Sequence, residues 1–87
     1  MALVWIPSLL RDLAGGRECV PIDVSTVGEI MGVLEKTYPG VRQRLCQGDQ
    51  LRPGLAVVVD GQIARLGLLE AVGPFTEVHF LPAIGGG

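Results

Sequence analysis

One histidine, two cysteines and one lysine among 87 residues leave few parts from which to build most kinds of active site. His79 has no second imidazole with which to share a metal, and Cys19 and Cys46 stand 27 positions apart with no Cys-x-x-Cys spacing. The chain therefore reads as a cytoplasmic protein with no disulfide and no metal. Nucleophilic catalysis of the triad kind needs a base beside a Ser, Thr or Cys and a third group to orient it. His79, alternating with Val78 and Phe80, reads as a half-exposed sheet residue and not as that base. Neither cysteine has a neighbouring Lys or His to favour a thiolate, and Arg17 near Cys19 is offset by Glu18, so both read as inert. Asp12, Glu18, Asp23, Asp49 and Asp60 are scattered, without the paired-carboxylate spacing of acid–base chemistry, and read as solvated surface.

Charge is scarce as well. Charged residues make up 18%, with seven basic against nine acidic, a net charge of -2 and no basic run, which argues against nucleic acid as a partner. Long apolar runs are missing: MALVWIPSLL lacks a basic start, is broken by Pro7 and meets Arg11 and Asp12 at once, so it is expected to be neither signal peptide nor membrane span. No GxxxxGK[ST] or helix-opening GxGxxG occurs, which removes the usual phosphate cradles.

What is present suffices for one folded body. Apolar residues reach 48% and mean hydropathy is +0.45, while 9.2 kDa lies below the usual domain size of roughly 100–150 residues and excludes a multidomain enzyme. A chain this short buries about 60–65% of its unfolded surface, leaving little interior for a deep site. Chemistry is expected at the surface.

Leu3 to Ile6 reads as a first strand stopped by Pro7, and ECVPID at 18–23 as a second, the two forming a hairpin with a long loop. Pro21 cannot donate to a ladder, which puts the second strand at a sheet edge. From Thr26 to Tyr38, the positions Val27, Ile30, Met31, Leu34 and Tyr38 share one face of a helix, with Thr26 and Glu29 spaced as a capping box and Pro39-Gly40 as the stop. Residues 41–54 read as a helix fragment around Arg42 to Cys46 and then loop. LAVVV, Asp60-Gly61 and QIARL predict a two-residue hairpin, and TEVHFLPA a last strand with Val78 and Phe80 inward and His79 and Leu81 outward.

Glycine is abundant, 13 of 87, yet three in a row at the end of the sequence has a chance on the order of 0.003 if placement is random. Lacking Cβ, such a segment threads through a slot too narrow for side chains. Beside the LPAI that precedes it, this ending resembles that of the ubiquitin-like sulfur carriers, the family that includes the molybdopterin synthase small subunit and the thiamine-pathway carrier. LRDLAGG after the first strand, TVGEIMGVLEKTYPG, the Asp-Gly hairpin and EVHFLPAIGGG extend the resemblance over nearly the whole chain. IPSLLRDLAGG and YPGVRQRL are most similar to the branch that supplies sulfur to an O-phosphoserine-dependent cysteine synthase.

The resemblance implies an α+β, β-grasp fold over residues 1–81, a mixed sheet of four to five strands with one main helix on one face, and an extended tail over 82–87. It also implies that an ATP-using partner adenylates the carboxylate of Gly87, which then becomes a thiocarboxylate, with no cofactor bound by the carrier itself. Gly86 matches the obligatory penultimate glycine and Gly85 replaces a small residue; both would enter the partner's site. Leu81, with Pro82 and Ile84, would dock on the activating enzyme and on a sulfur acceptor such as a cysteine synthase or the molybdopterin synthase large subunit. Neither nucleic acid nor membrane is an expected partner. The alternative within the same chemistry is a protein modifier conjugated through Gly87 to target lysines.

Overall fold

Alternation makes the first strand, and the computed structural model, which describes residues 1–82, shows it directly. In β1 (Ala2–Trp5) Ala2 and Val4 are buried while Leu3 and Trp5 are half-buried on the opposite face. The chain then passes through a 3-10 turn (Ser8–Leu10) and reverses at Gly15 and Gly16, with φ of 65° and 86°. It returns as β2 (Cys19–Ile22), antiparallel to β1 from Ala2↔Ile22 to Trp5↔Cys19. As Pro21 requires, β2 lies at the edge of the sheet.

Helix α1 (Val27–Thr37) begins where the sequence places its cap. The Glu29 N–H donates to Thr26 Oγ1 at 3.2 Å, but the Glu29 carboxylate reaches back to the N–H of Ser25, 3.1 Å away, one residue earlier than a simple capping box would have it. Val27, Ile30, Met31 and Leu34 are fully buried, and Tyr38 packs half-buried at the helix end. Gly40, at φ 107°, turns the chain into a second short helix, α2 (Val41–Leu45). Beyond it the expected loop contains a miniature hairpin, β3 (Cys46–Gln47) with β4 (Gln50–Leu51). Strands of two residues show no alternation, which is why the sequence alone does not reveal them.

β5 (Leu55–Val59) and β6 (Gln62–Ile63) are joined by Asp60 at φ 50° and Gly61 at φ 83°, the doubly left-handed turn that an Asp-Gly hairpin calls for. The returning strand expected over QIARL is shorter than predicted. After Ala64 donates to the Val57 carbonyl at 2.9 Å, the chain leaves the sheet for a 3-10 turn (Gly67–Leu69) that packs on α1. Finally β7 (Glu77–Pro82) enters between β1 and β5, parallel to the first and antiparallel to the second.

The sheet thus runs β2-β1-β7-β5-β6, five strands of mixed direction with α1 across one face, the α+β arrangement of the β-grasp fold. Val4, Val57, Val78 and Phe80 from the sheet meet Ile30, Met31 and Leu34 from α1 and Val41 and Leu45 from α2 in one core. Each such aliphatic side chain contributes about 1.5–3 kcal/mol by leaving water.

Candidate functional site

The end of β7 is held from one side only. Its register with β1 stops at Trp5↔His79: Leu3 and every second residue after it turn toward β7, Leu3 donating to the Thr76 carbonyl at 2.8 Å, and the next in that series, Pro7, has no N–H to donate. Phe80, Leu81 and Pro82 are therefore paired with β5 alone, opposite Val57, Ala56 and Leu55. Pro82 brings no N–H, so it adds no ladder donor at the point where the chain continues toward Gly87.

Register along this strand agrees with the alternation in the sequence. Val78 and Phe80 are 0% and 2% exposed, whereas Leu81 is 46% exposed on the outer face. Pairing continues through Pro82, the first residue of the expected tail. Ile84, Gly85, Gly86 and Gly87 lie outside the described residues.

His79 also faces outward, and it lies flat on Trp5 with ring centroids 5.5 Å apart and planes within 7° of parallel. The Trp5 indole N–H donates to Glu77 Oε1 at 3.2 Å, and His79 Nε2 stands 4.0 Å from the same oxygen. Cys19 and His79 flank Trp5 from opposite sides, two strand spacings or about 9–10 Å apart, too far for a nucleophile–base pair. Burial pushes the thiols of both Cys19 and Cys46 up, and the positive charges of Arg17 near the first and of Arg42 and Arg52 near the second only partly oppose it. Both cysteines are therefore held as thiols. Among the described residues, no cluster of three or more His, Cys, Asp or Glu side chains is placed to hold a metal, and no helix is long and apolar enough to cross a membrane.

Two groupings escape sequence reasoning. Leu3 and Trp5, and Glu77, His79 and Leu81, each show period-2 spacing, but the indole–carboxylate bond joins residues 72 positions apart and needs the parallel pairing of β1 with β7. Glu35, off the buried stripe of α1, braces the α1–α2 turn: its carboxylate accepts from the N–H groups of Gly40 at 3.2 Å and Arg42 at 2.9 Å. These bonds, Arg42's foremost, hold its carboxyl below the usual carboxylate range.

A helix laid over a five-stranded mixed sheet with the last strand at its centre defines a ubiquitin-like protein. Within that class the chain belongs to the ThiS family, whose profile matches residues 4–87. The sulfur carrier protein CysO of Mycobacterium tuberculosis is 33% identical over 91 aligned positions, covering 97% of this chain and 96% of that protein. Among solved structures, the Amycolatopsis orientalis BexX/CysO complex contains a chain with a TM-score of 0.89 and 31% identity, each chain covered completely. SAMP1 of Haloferax volcanii, a small archaeal modifier protein, superposes with a TM-score of 0.77 at 27% identity, over 99% of this chain and 98% of its own.

Proposed function

We propose that this chain is a sulfur carrier, a protein co-substrate and not itself a catalyst, whose working group is the carboxylate of Gly87. A carboxylate is a poor electrophile. An ATP-dependent partner makes it an acyl adenylate with release of pyrophosphate; a sulfur nucleophile then displaces AMP and leaves a thiocarboxylate. Sulfur on that carbon is delivered to an acceptor enzyme, and we place a cysteine synthase in that role. ATP is the partner's substrate. Gly85 and Gly86 enter the partner's slot because glycine backbone packs closely against another surface, while Leu81, Pro82 and Ile84 seat the carrier at its mouth.

The observation that carries this reading is the family match, which runs through the body and on to Gly87. The one-sided pairing of Phe80–Pro82 supports it, since among the described residues the chain leading to Gly87 leaves the sheet tied to β5 alone. A second reading, conjugation of Gly87 to a lysine of a target protein, is favoured by the likeness to SAMP1.

Intact-mass spectrometry after incubation with ATP, a sulfide source and the adenylating enzyme tests the proposal. A carrier gains the mass difference between sulfur and oxygen, and deletion of Gly87 abolishes the gain. Covalent adducts on target lysines, with no thiocarboxylate detected, would transfer the chain to the modifier reading.

A further inference from the structure

The turn that follows β6 carries an apolar ridge that the core does not use. Its 3-10 geometry, closed by the Leu69 N–H donating to the Leu66 carbonyl at 3.0 Å, sets Leu66 and Leu69 one above the other, since side chains three apart eclipse in such a turn. They are 63% and 78% exposed. Beside this ridge runs a groove. One wall is the segment from Arg65 to Leu69, and the other is the tip of the β3–β4 hairpin, Asp49 to Leu51. Leu51 and Leu68 are half-buried against the core and make its base apolar.

Both walls are fixed before anything binds. The Val27 N–H of α1 donates to the Glu70 carbonyl at 3.0 Å, just beyond the turn, and the Arg52 N–H donates to the Leu45 carbonyl at 2.9 Å, just beyond the hairpin. A surface held in one shape loses little freedom on association. Leucines scattered singly over a surface need no partner, but two stacked beside an apolar groove mark an interaction site.

We propose that this groove is the interface of a two-fold dimer of the chain, each copy seating its Leu66–Leu69 ridge in the groove of the other. The charges at the rim select a second copy as the occupant. Arg65 stands on one wall and Asp49 on the other, and among the described residues neither has an ion-pair partner. A two-fold axis through the groove sets Arg65 of each copy against Asp49 of the other, so the same patch complements itself. A net charge of only -2 offers little general repulsion between copies. The contact is small. Two leucines a side fall well short of the ~800 Å² per partner of a standard stable interface, so the dimer is weak and forms only in concentrated solution. The groove contains no residue of β7, which leaves the strand leading to Gly87 outside it, and the inference does not depend on the carrier reading.

The test is sedimentation equilibrium of the parent chain and of variants checked for folding by thermal melts, from about 10 μM to about 1 mM, the range in which a weak contact becomes populated. Over that range the parent is expected to move from a mass of 9.2 kDa toward twice that value. Leu69→Asp, at an exposed position where folding is not at stake, should raise the dissociation constant at least about tenfold. Leu81→Asp, on the outer face of the sheet, should leave it within about twofold. Arg65→Glu and Asp49→Lys should each weaken self-association, because like charges then meet twice across the axis. An equimolar mixture of these two variants sets opposite charges together at both contacts and should restore the dimer. A parent that stays monomeric at the highest concentration overturns the inference and leaves the groove to a different partner. So does a dimer that survives Leu69→Asp, one that Leu81→Asp dissociates, or a mixture no more associated than its separate components.

Discussion

Gly28 lies directly under Leu68: a Cβ at Gly28 would stand 3.1 Å from the Leu68 carbonyl oxygen. The missing side chain lets the 3-10 turn Gly67–Leu69 lie on the first turn of α1. That turn has no room to retreat. Val27 donates to the Glu70 carbonyl at 3.0 Å, Val72 donates to the Ser25 carbonyl at 2.9 Å, and Thr26 bridges Ala71.

Alanine at the two α1 glycines should therefore act in opposite directions. Gly32 has open space around its missing side chain and ordinary helical backbone, so Gly32→Ala gains up to about 1 kcal/mol of helix propensity and raises Tm by about 4–8 °C. Gly28→Ala must push a clamped carbonyl and is expected to lower Tm. Thermal denaturation of the two variants beside the parent decides it.

Adjacent positions on β7 should separate stability from docking. Phe80→Ala empties part of the core and is expected to cost about 3–5 kcal/mol, read by denaturant titration. Leu81→Asp, on the outer face, should leave the melt nearly unchanged and raise KM in pyrophosphate exchange. The reverse pattern would refute the site assignment.

Because Cys46 is buried, the variant that tests thiol chemistry pairs Cys19→Ser with Cys46→Ala, which places no hydroxyl in the core. Both thiols are held protonated by burial, so sulfur loading at Gly87 should match the parent by intact mass. Loss of loading with adenylation retained would reveal a persulfide route.

Glu35 makes a pH-dependent contribution of predictable sign. Its folded-state pKa lies below the unfolded value, so between the two the unfolded chain holds more protons and stability rises with pH. The contribution is complete above the usual carboxylate range and disappears as pH falls through the lowered folded value. Glu35→Gln should melt below the parent near neutral pH, with the gap closing in acid. Asp12, whose carboxyl Arg44 holds low across a 2.7 Å ion pair, is common to both proteins and cancels in the comparison. A gap that stays constant with pH would refute the brace.

What the sequence by itself determined is whatever repeats with a local period or a local turn. Val27, Ile30, Met31 and Leu34 at helical spacing, the Thr26–Glu29 cap, the Asp60-Gly61 reversal, Pro21 at an edge and the inward Val78 and Phe80 all follow from backbone geometry within a few residues. These elements and the glycine ending were enough to indicate the β-grasp fold and the carrier family. The tertiary structure decided the rest. β7 lies between β1 and β5 because chain ends far apart in sequence share a core. That placement alone stacks Trp5 on His79, aligns five strands' outward residues in one row and leaves Phe80–Pro82 paired on one side. Glu35 was invisible for a related reason: Pro39-Gly40 marks the turn, but which side chain reaches the N–H groups of Gly40 and Arg42 depends on how the chain folds back after it.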